Sequence, residues 1–138
     1  GTPMARLVPM PPPPPLLLDT HVFLWWADGE LDRISPAARD AIAAAPAVFV
    51  SIASAWELTI KTTLQKMRLG VSFAYALEIN RFQALPISLS HVDRVAGLPL
   101  YHRDPFDRLL IAQALAEQLT LVTHDRALGA YAAAVLWS

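Results

Sequence analysis

The most restrictive feature of this chain is a repeated change of rhythm. Short apolar runs rich in Leu, Val and Ile, too brief for helices, alternate with segments whose apolar residues recur at three- and four-residue spacing. Leu16–Leu18 opens the pattern as a strand, and a helix is predicted over Thr20–Ala27. Ser35 and Pro36 supply an N-cap and a first-turn proline for a second helix, which must stop before Pro46. Val48–Ser51 reads as a buried strand, and Ser54 is placed to cap a helix running to about Met67, with Gly70 beyond its end. The same reading gives a helix over residues 73–82, a weak strand at 86–88, a short helix over 90–96 and a strong helix over 105–118. Residues 119–123 form a clear strand, a short helix follows Asp125, and Val135–Trp137 adds an edge strand. Alternating strands and helices join through right-handed crossovers, so the expected class is α/β: a mostly parallel sheet of four to five strands with helices on both faces.

At 138 residues the chain has the size of one domain. Its 54% hydrophobic and 17% charged content is the reverse of a disordered composition. Residues 1–15 stand apart: Gly1 to Pro3 precede Met4 and read as an appended remnant, and Pro11 to Pro15 as a polyproline II leader, leaving residues 16–138 as the folded domain. The uncharged stretch at 41–56 is too short to cross a bilayer and contains Pro46, Ser51 and Ser54. Pro9 and Pro11 to Pro15 break the apolar helix that a secretory signal needs, so a cytoplasmic protein without membrane association is expected. There is no cysteine, which excludes disulfides, thiolate metal sites and a cysteine nucleophile. With 11 Lys plus Arg against 12 Asp plus Glu, the formal charge is -1, so any nucleic-acid binding must be local.

In parallel α/β sheets, ligands bind beyond the carboxyl ends of the strands, and the polar residues found there are acids. Asp19 follows the first strand directly, Glu57 lies in the first turn of the helix after Val48–Ser51, and Asp125 follows residues 119–123. Asp107 sits in the first turn of the Pro105 helix, where Asp104 takes the N-cap position. Each acid has a plain local role available: a carboxylate at a helix start satisfies free N–H groups, and Glu57 has Lys61 four residues on, in the order that favours a helix ion pair. Four of them sent to one rim would repel and raise one another's pKa unless a cation neutralised them. Oxygen ligands without cysteine suit Mg²⁺ or Mn²⁺, which keep waters and accept a phosphate oxygen in the remaining positions.

Four segments carry a resemblance: Leu17-Leu18-Asp19-Thr20, Ser54-Ala55-Trp56-Glu57-Leu58 with Lys61, the run from His102 through Asp104-Pro105-Phe106-Asp107-Arg108 to Ala114, and Leu121-Val122-Thr123-His124-Asp125. In this order they resemble the PIN-domain ribonucleases, and within them the VapC-type toxins of bacterial toxin–antitoxin pairs. The resemblance spans Leu16 to the C-terminus and implies a metal-dependent endoribonuclease with Asp19, Glu57, Asp107 and Asp125 as its acidic quartet. Asp19 and Asp125 are then expected to ligate one or two ions directly, with Glu57 and Asp107 holding bound waters or the second ion. Thr20 and Thr123 either support these carboxylates or act as ordinary local caps.

Lys61 and Arg68 fall on the Glu57 side of their helix, and Arg103, Arg108 and Arg126 flank the other acids, so these five either track RNA phosphates or serve as solvated counterions. His102 and His124 adjoin the expected site, whereas His21 and His91 read as structural. The helix at Thr20–Ala27 is apolar nearly all round, with Trp25 and Trp26 in excess of what one sheet face can bury. Either a neighbouring helix bearing Trp56, Ile60 and Leu64 covers them, or they belong to an exposed interface. The resemblance implies the second, with a homodimer and an antitoxin docked at Trp25 and Trp26. The alternatives are an acid-lined DNA nuclease or phosphatase, and a receiver-like binding module. The latter needs a lysine after a late strand, where this chain has Thr123-His124-Asp125.

Overall fold

Among the described residues, five short strands line up in one parallel sheet. The computed structural model describes residues 12–64, 68–131 and 133–138. The strands are β1 (Leu16–Leu18), β2 (Val48–Ser51), β3 (Gln83–Leu85), β4 (Thr120–Thr123) and β5 (Val135–Trp137), ordered β3-β2-β1-β4-β5. The helices are α1 (Thr20–Ala27), α2 (Pro36–Ala44), α3 (Ile52–Thr63), α4 (Phe73–Asn80), α5 (Leu89–Ala96) and α6 (Pro105–Glu117), with 3-10 turns at Leu31–Arg33 and Arg126–Ala130. All four strand pairings are parallel, as the α/β reading requires. The chain builds β1 to β3 in one direction and returns to lay β4 against β1. The reversal of strand order therefore falls between β1 and β4, where ligands of such sheets bind.

The all-leucine β1 is buried on both sides because its alternate residues serve two layers. Leu16 and Leu18 pack with Val22 and Phe23 of α1, Ile34, Ala38 and Ile42 around α2, and Ala76 of α4. Leu17 enters the opposite layer with Leu110, Ile111 and Ala114 of α6 and with Leu121 and Leu128. Each fully buried leucine contributes about 1.5 to 3 kcal/mol, so β1 anchors both layers and fixes the position of the residue that follows it, Asp19.

Three local expectations are corrected. The α3 cap is Ser51, whose hydroxyl accepts from the Ala53 N–H at 3.0 Å; Ser54 lies inside the helix, buried, with its hydroxyl 3.0 Å from that of Thr20. Helix α3 thus follows β2 without a loop and ends at Thr63, leaving Arg68 exposed and outside it; Met67, the expected end, lies outside the described residues. The third strand is Gln83–Leu85, in register with Phe49 to Ser51, and Pro86 follows it. A proline cannot donate to the ladder, and the Pro86 carbonyl instead accepts from the Gln113 side chain at 3.3 Å. Of the proline leader, residues 1–11 lie outside the described residues. Pro12 to Pro15 take no regular structure, and the Pro15 carbonyl accepts from Thr120 N–H at 3.1 Å.

Candidate active site

The four acids meet beyond the carboxyl ends of β1 and β4, in a cleft of about 120 Å³ that also takes in Thr20, His21, Lys61, Asp104 and His124. Asp19 is the N-cap of α1, with Oδ1 accepting from Val22 N–H at 2.8 Å, while Oδ2 accepts from the Thr123 hydroxyl at 2.5 Å. Thr123 in turn accepts from Asp125 N–H at 3.1 Å. The two readings of this threonine are therefore both realised: it caps locally and also orients a carboxylate. Thr20 does the second job for Glu57, its hydroxyl lying 2.5 Å from Oε1, and Lys61 Nζ donates to Oε2 at 2.7 Å. Asp19 and Glu57 are buried, so these fixed donors set their orientation without exchange with water.

Asp104 and Asp107 separate as their positions in the turn dictate. Asp104 Oδ1 accepts from the N–H groups of Phe106 at 2.8 Å and Asp107 at 3.1 Å, the work of an N-cap. The Asp107 carboxylate accepts no hydrogen bond among the described residues, and its Oδ2 lies 3.5 Å from His102 Nε2. Burial, followed by the neighbouring Asp104 charge, pushes the Asp107 carboxyl up from its ordinary 3.8 to about 7, with Asp19 and Glu57 adding to the shift.

His102 has a larger part than adjacency in sequence suggests. Its Nδ1 accepts from Asp104 N–H at 3.0 Å, which leaves the proton on Nε2 to face Asp125 Oδ2 at 3.0 Å and Asp107 Oδ2. Burial works to raise the Asp125 carboxyl, but the bonds from His102 and from Ala127 N–H outweigh it and hold the group below its ordinary value. His102, Asp107 and Asp125 present ligand atoms all within 4.8 Å of one another, spacing suited to a cation. A carboxylate-rich cluster in which burial and neighbouring carboxylates push one member up fits a hard divalent metal.

Of the five basic residues expected to track phosphates or to serve as counterions, the structure brings one to the cleft. Only Lys61 lines the cleft, its ammonium raised above its ordinary value chiefly by the hydrogen bond to Glu57. Arg68 falls outside α3 and so does not share its face. Arg108 donates to the carbonyls of Pro99 at 3.0 Å and Val95 at 3.1 Å and reaches the Tyr131 hydroxyl at 3.3 Å, tying the segment after α5 to α6. Arg126 stacks 4.5 Å over the Trp137 ring. Arg103 is exposed and does not line the cleft. His91 is a buried structural residue of the α5 capping box, as expected, but His21 lines the cleft. Burial holds His21 below its ordinary pKa, whereas the Asp19 carboxylate, 3.8 Å away, raises that of His124.

Trp25 and Trp26 are half-buried and, one position apart, point to different places. Trp25 faces His124, with centroids 4.9 Å apart, at the rim of the acidic cleft. Trp26 packs on Phe82 at 6.2 Å and lines a separate cleft of about 390 Å³ with Ile42, Val48 and Arg81. The α3 face with Trp56 and Leu64 does not cover them, since both are more than half exposed; it is Ser54, Glu57 and Leu58 that α3 turns inward.

A carboxylate cluster at the switch point of a parallel sheet defines a class of acid-centred, cation-binding α/β domains. The PIN domain profile matches residues 16–134, and the chain belongs to that family, whose members generally use divalent metals. Among its relatives, Ribonuclease VapC22 of Mycobacterium tuberculosis is 33% identical over 116 residues, covering 82% of this chain and 88% of the relative. The fold is shared with the VapBC2 structure from Rickettsia felis bound to a promoter DNA fragment, at TM-score 0.64 and 16% identity over 89% of this chain and 98% of that one. It is shared also with VapBC-5 of Mycobacterium tuberculosis, at TM-score 0.55 and 20% identity over 91% and 98% of the two chains.

Proposed function

We propose that this chain is a metal-dependent endoribonuclease and the toxin of a VapC-type toxin–antitoxin pair, hydrolysing RNA phosphodiesters in the cytoplasm with Mg²⁺ or Mn²⁺. The observation that carries this reading is the convergence of Asp19, Glu57, Asp107 and Asp125 from separate elements in one cleft, with Asp107 raised to about 7. A polyanion can approach such a cluster only when a cation neutralises it. When bound, the metal supplies a water of lowered pKa and withdraws charge from the phosphoryl oxygens. The chain's own residues orient and balance. Thr123 and the Val22 N–H fix Asp19, Thr20 and Lys61 fix Glu57, and His102 holds Asp125 in place. Lys61 puts positive charge at the rim where a phosphate enters.

Purified protein incubated with single-stranded RNA, single-stranded DNA and a phosphomonoester, with and without Mg²⁺ or Mn²⁺, tests this. Cleavage of RNA alone, abolished by EDTA, is expected. DNA cleavage or phosphatase activity would replace the reading with one of its acid-lined alternatives.

For partners, we infer an antitoxin whose chain runs from the Trp26 cleft past Trp25 toward the acids, where a basic side chain would meet the carboxylates. A homodimer is supported by α3 and α5, both packed on α6, which expose Ile52, Trp56, Leu89 and Val92. Replacing Trp26 with a polar residue should weaken capture of the cognate antitoxin more than it weakens cleavage. Equal losses would move the docking site elsewhere.

A further inference from the structure

Outside the carboxylates, the rim of the cleft carries aromatic rings that the metal chemistry does not use. His124, just after β4, lies 4.9 Å from Trp25 and 5.2 Å from His21 between centroids, and His21 and Trp25 are 5.8 Å apart. The three rings form one cluster, and the Arg33 guanidinium lies beside it, 5.9 Å from the Trp25 ring. His21 and His124 also line the acidic cleft, so the cluster begins beside Asp19 and ends at Trp25 on its rim. His124 Nδ1 turns toward Asp19 Oδ2 at 3.8 Å, and the side chain is still 41% exposed, so part of its ring is open to a ligand. The rings are tilted against one another by 50° to 74°, and a cluster of this kind, with a guanidinium beside it, offers an unpaired nucleobase an aromatic surface to stack on.

We propose that Trp25 and His124, backed by His21 and extended by Arg33, form a stacking platform for the base next to the scissile phosphate. This rests on the ribonuclease reading above and adds to it a substrate requirement: the flanking nucleotide must be unpaired. A duplex keeps its bases stacked on one another and offers the platform no free face. The platform holds substrate and leaves the reacting atoms to the acids. Its loss therefore falls on KM more than on kcat.

The test begins with wild-type protein, Mn²⁺ and a short mixed-sequence single-stranded oligoribonucleotide, from which the cut site is mapped. Failure to cut any RNA sinks the ribonuclease reading itself, before any variant is compared. With a cut site in hand, an abasic ribonucleotide is placed on either side of it. Loss of the base on one side should raise KM about tenfold, the size expected for one stacked base. Trp25→Ala and His124→Ala should each raise KM by a similar factor, with Trp25→Phe and His124→Phe recovering most of it. The abasic substrate should cost His124→Ala little beyond what the substitution already costs, because the same contact is missing twice. The platform is overturned if wild type is indifferent to abasic positions on both flanks. It is equally overturned if the aromatic replacements rescue nothing, or if the abasic and His124→Ala penalties multiply. Should Trp25→Ala fail to fold, the loop residue His124 and the abasic substrates decide the matter alone.

Discussion

Asp104 and Asp107 show how three positions in one helical turn assign opposite duties to the same side chain. Asp104 faces two backbone N–H groups and is a cap; Asp107 faces the cleft and other carboxylates. Asp104→Ser keeps a capping oxygen and should preserve most cleavage, while Asp104→Ala should cost about 1 kcal/mol of stability and Asp107→Asn should abolish turnover. Urea melts and rate assays on the three variants check this, and an active Asp107→Asn with a dead Asp104→Ser would reverse the roles. The Asp107 titration also fixes a pH dependence. Its folded-state pKa lies above its unfolded value, so the metal-free folded protein holds the extra proton between 3.8 and about 7. The stability this provides is fully present below 3.8 and lost as pH rises through about 7. In EDTA, the Tm of Asp107→Asn minus that of wild type should therefore grow from pH 4 to pH 8. A difference that stays flat would mean that Asp107 binds its proton equally well in the folded and unfolded states.

At the scale of elements, helix ends decide the placement of the site and carry some unrelieved strain. Asp19, Ser35, Ser51, Ser72, Ser88 and Asp104 each cap a helix with a side-chain oxygen, so six entries into helices are written in single residues. Exits are less well served. Helix α6 ends on Gln118 at φ 55°, ψ 47°, the left-handed region that favours glycine. Gln118→Gly should raise stability by about 1 kcal/mol, since a side chain pays roughly 1 to 2 kcal/mol in that conformation, without altering cleavage. Calorimetry reads the first and an RNA assay the second; an unchanged or lower Tm would show that Gln118 is held there by contacts of its own. The caps were legible because their residue types and spacing are local. The choice between Ser51 and Ser54 was not, because it depends on Thr20 occupying the space beside Ser54.

For the molecule as a whole, the site is a joint between two halves of the sheet, and its repulsion is shared by all of it. Asp19→Asn keeps an acceptor for the Val22 N–H while removing one buried charge, so in EDTA its Tm should equal or exceed that of wild type. Mn²⁺ at about 100 times its Kd should stabilise wild type by about 2.7 kcal/mol and Asp19→Asn by much less. Thermal melts with and without the ion check both, and equal stabilisation of the two proteins would place the ion away from Asp19. The order of strands and helices, the parallel sheet and the acid after each central strand were set by the sequence itself, since apolar periodicity and cap residues act over a few positions. What waited for the tertiary structure was the division of labour. His102 bridging Asp107 and Asp125, Arg108 tying down the segment after α5, Arg126 resting on Trp137 and the raised Asp107 carboxyl all arise between residues far apart in the chain. Burial and charge–charge distance determine them, and neither quantity exists until the layers have packed.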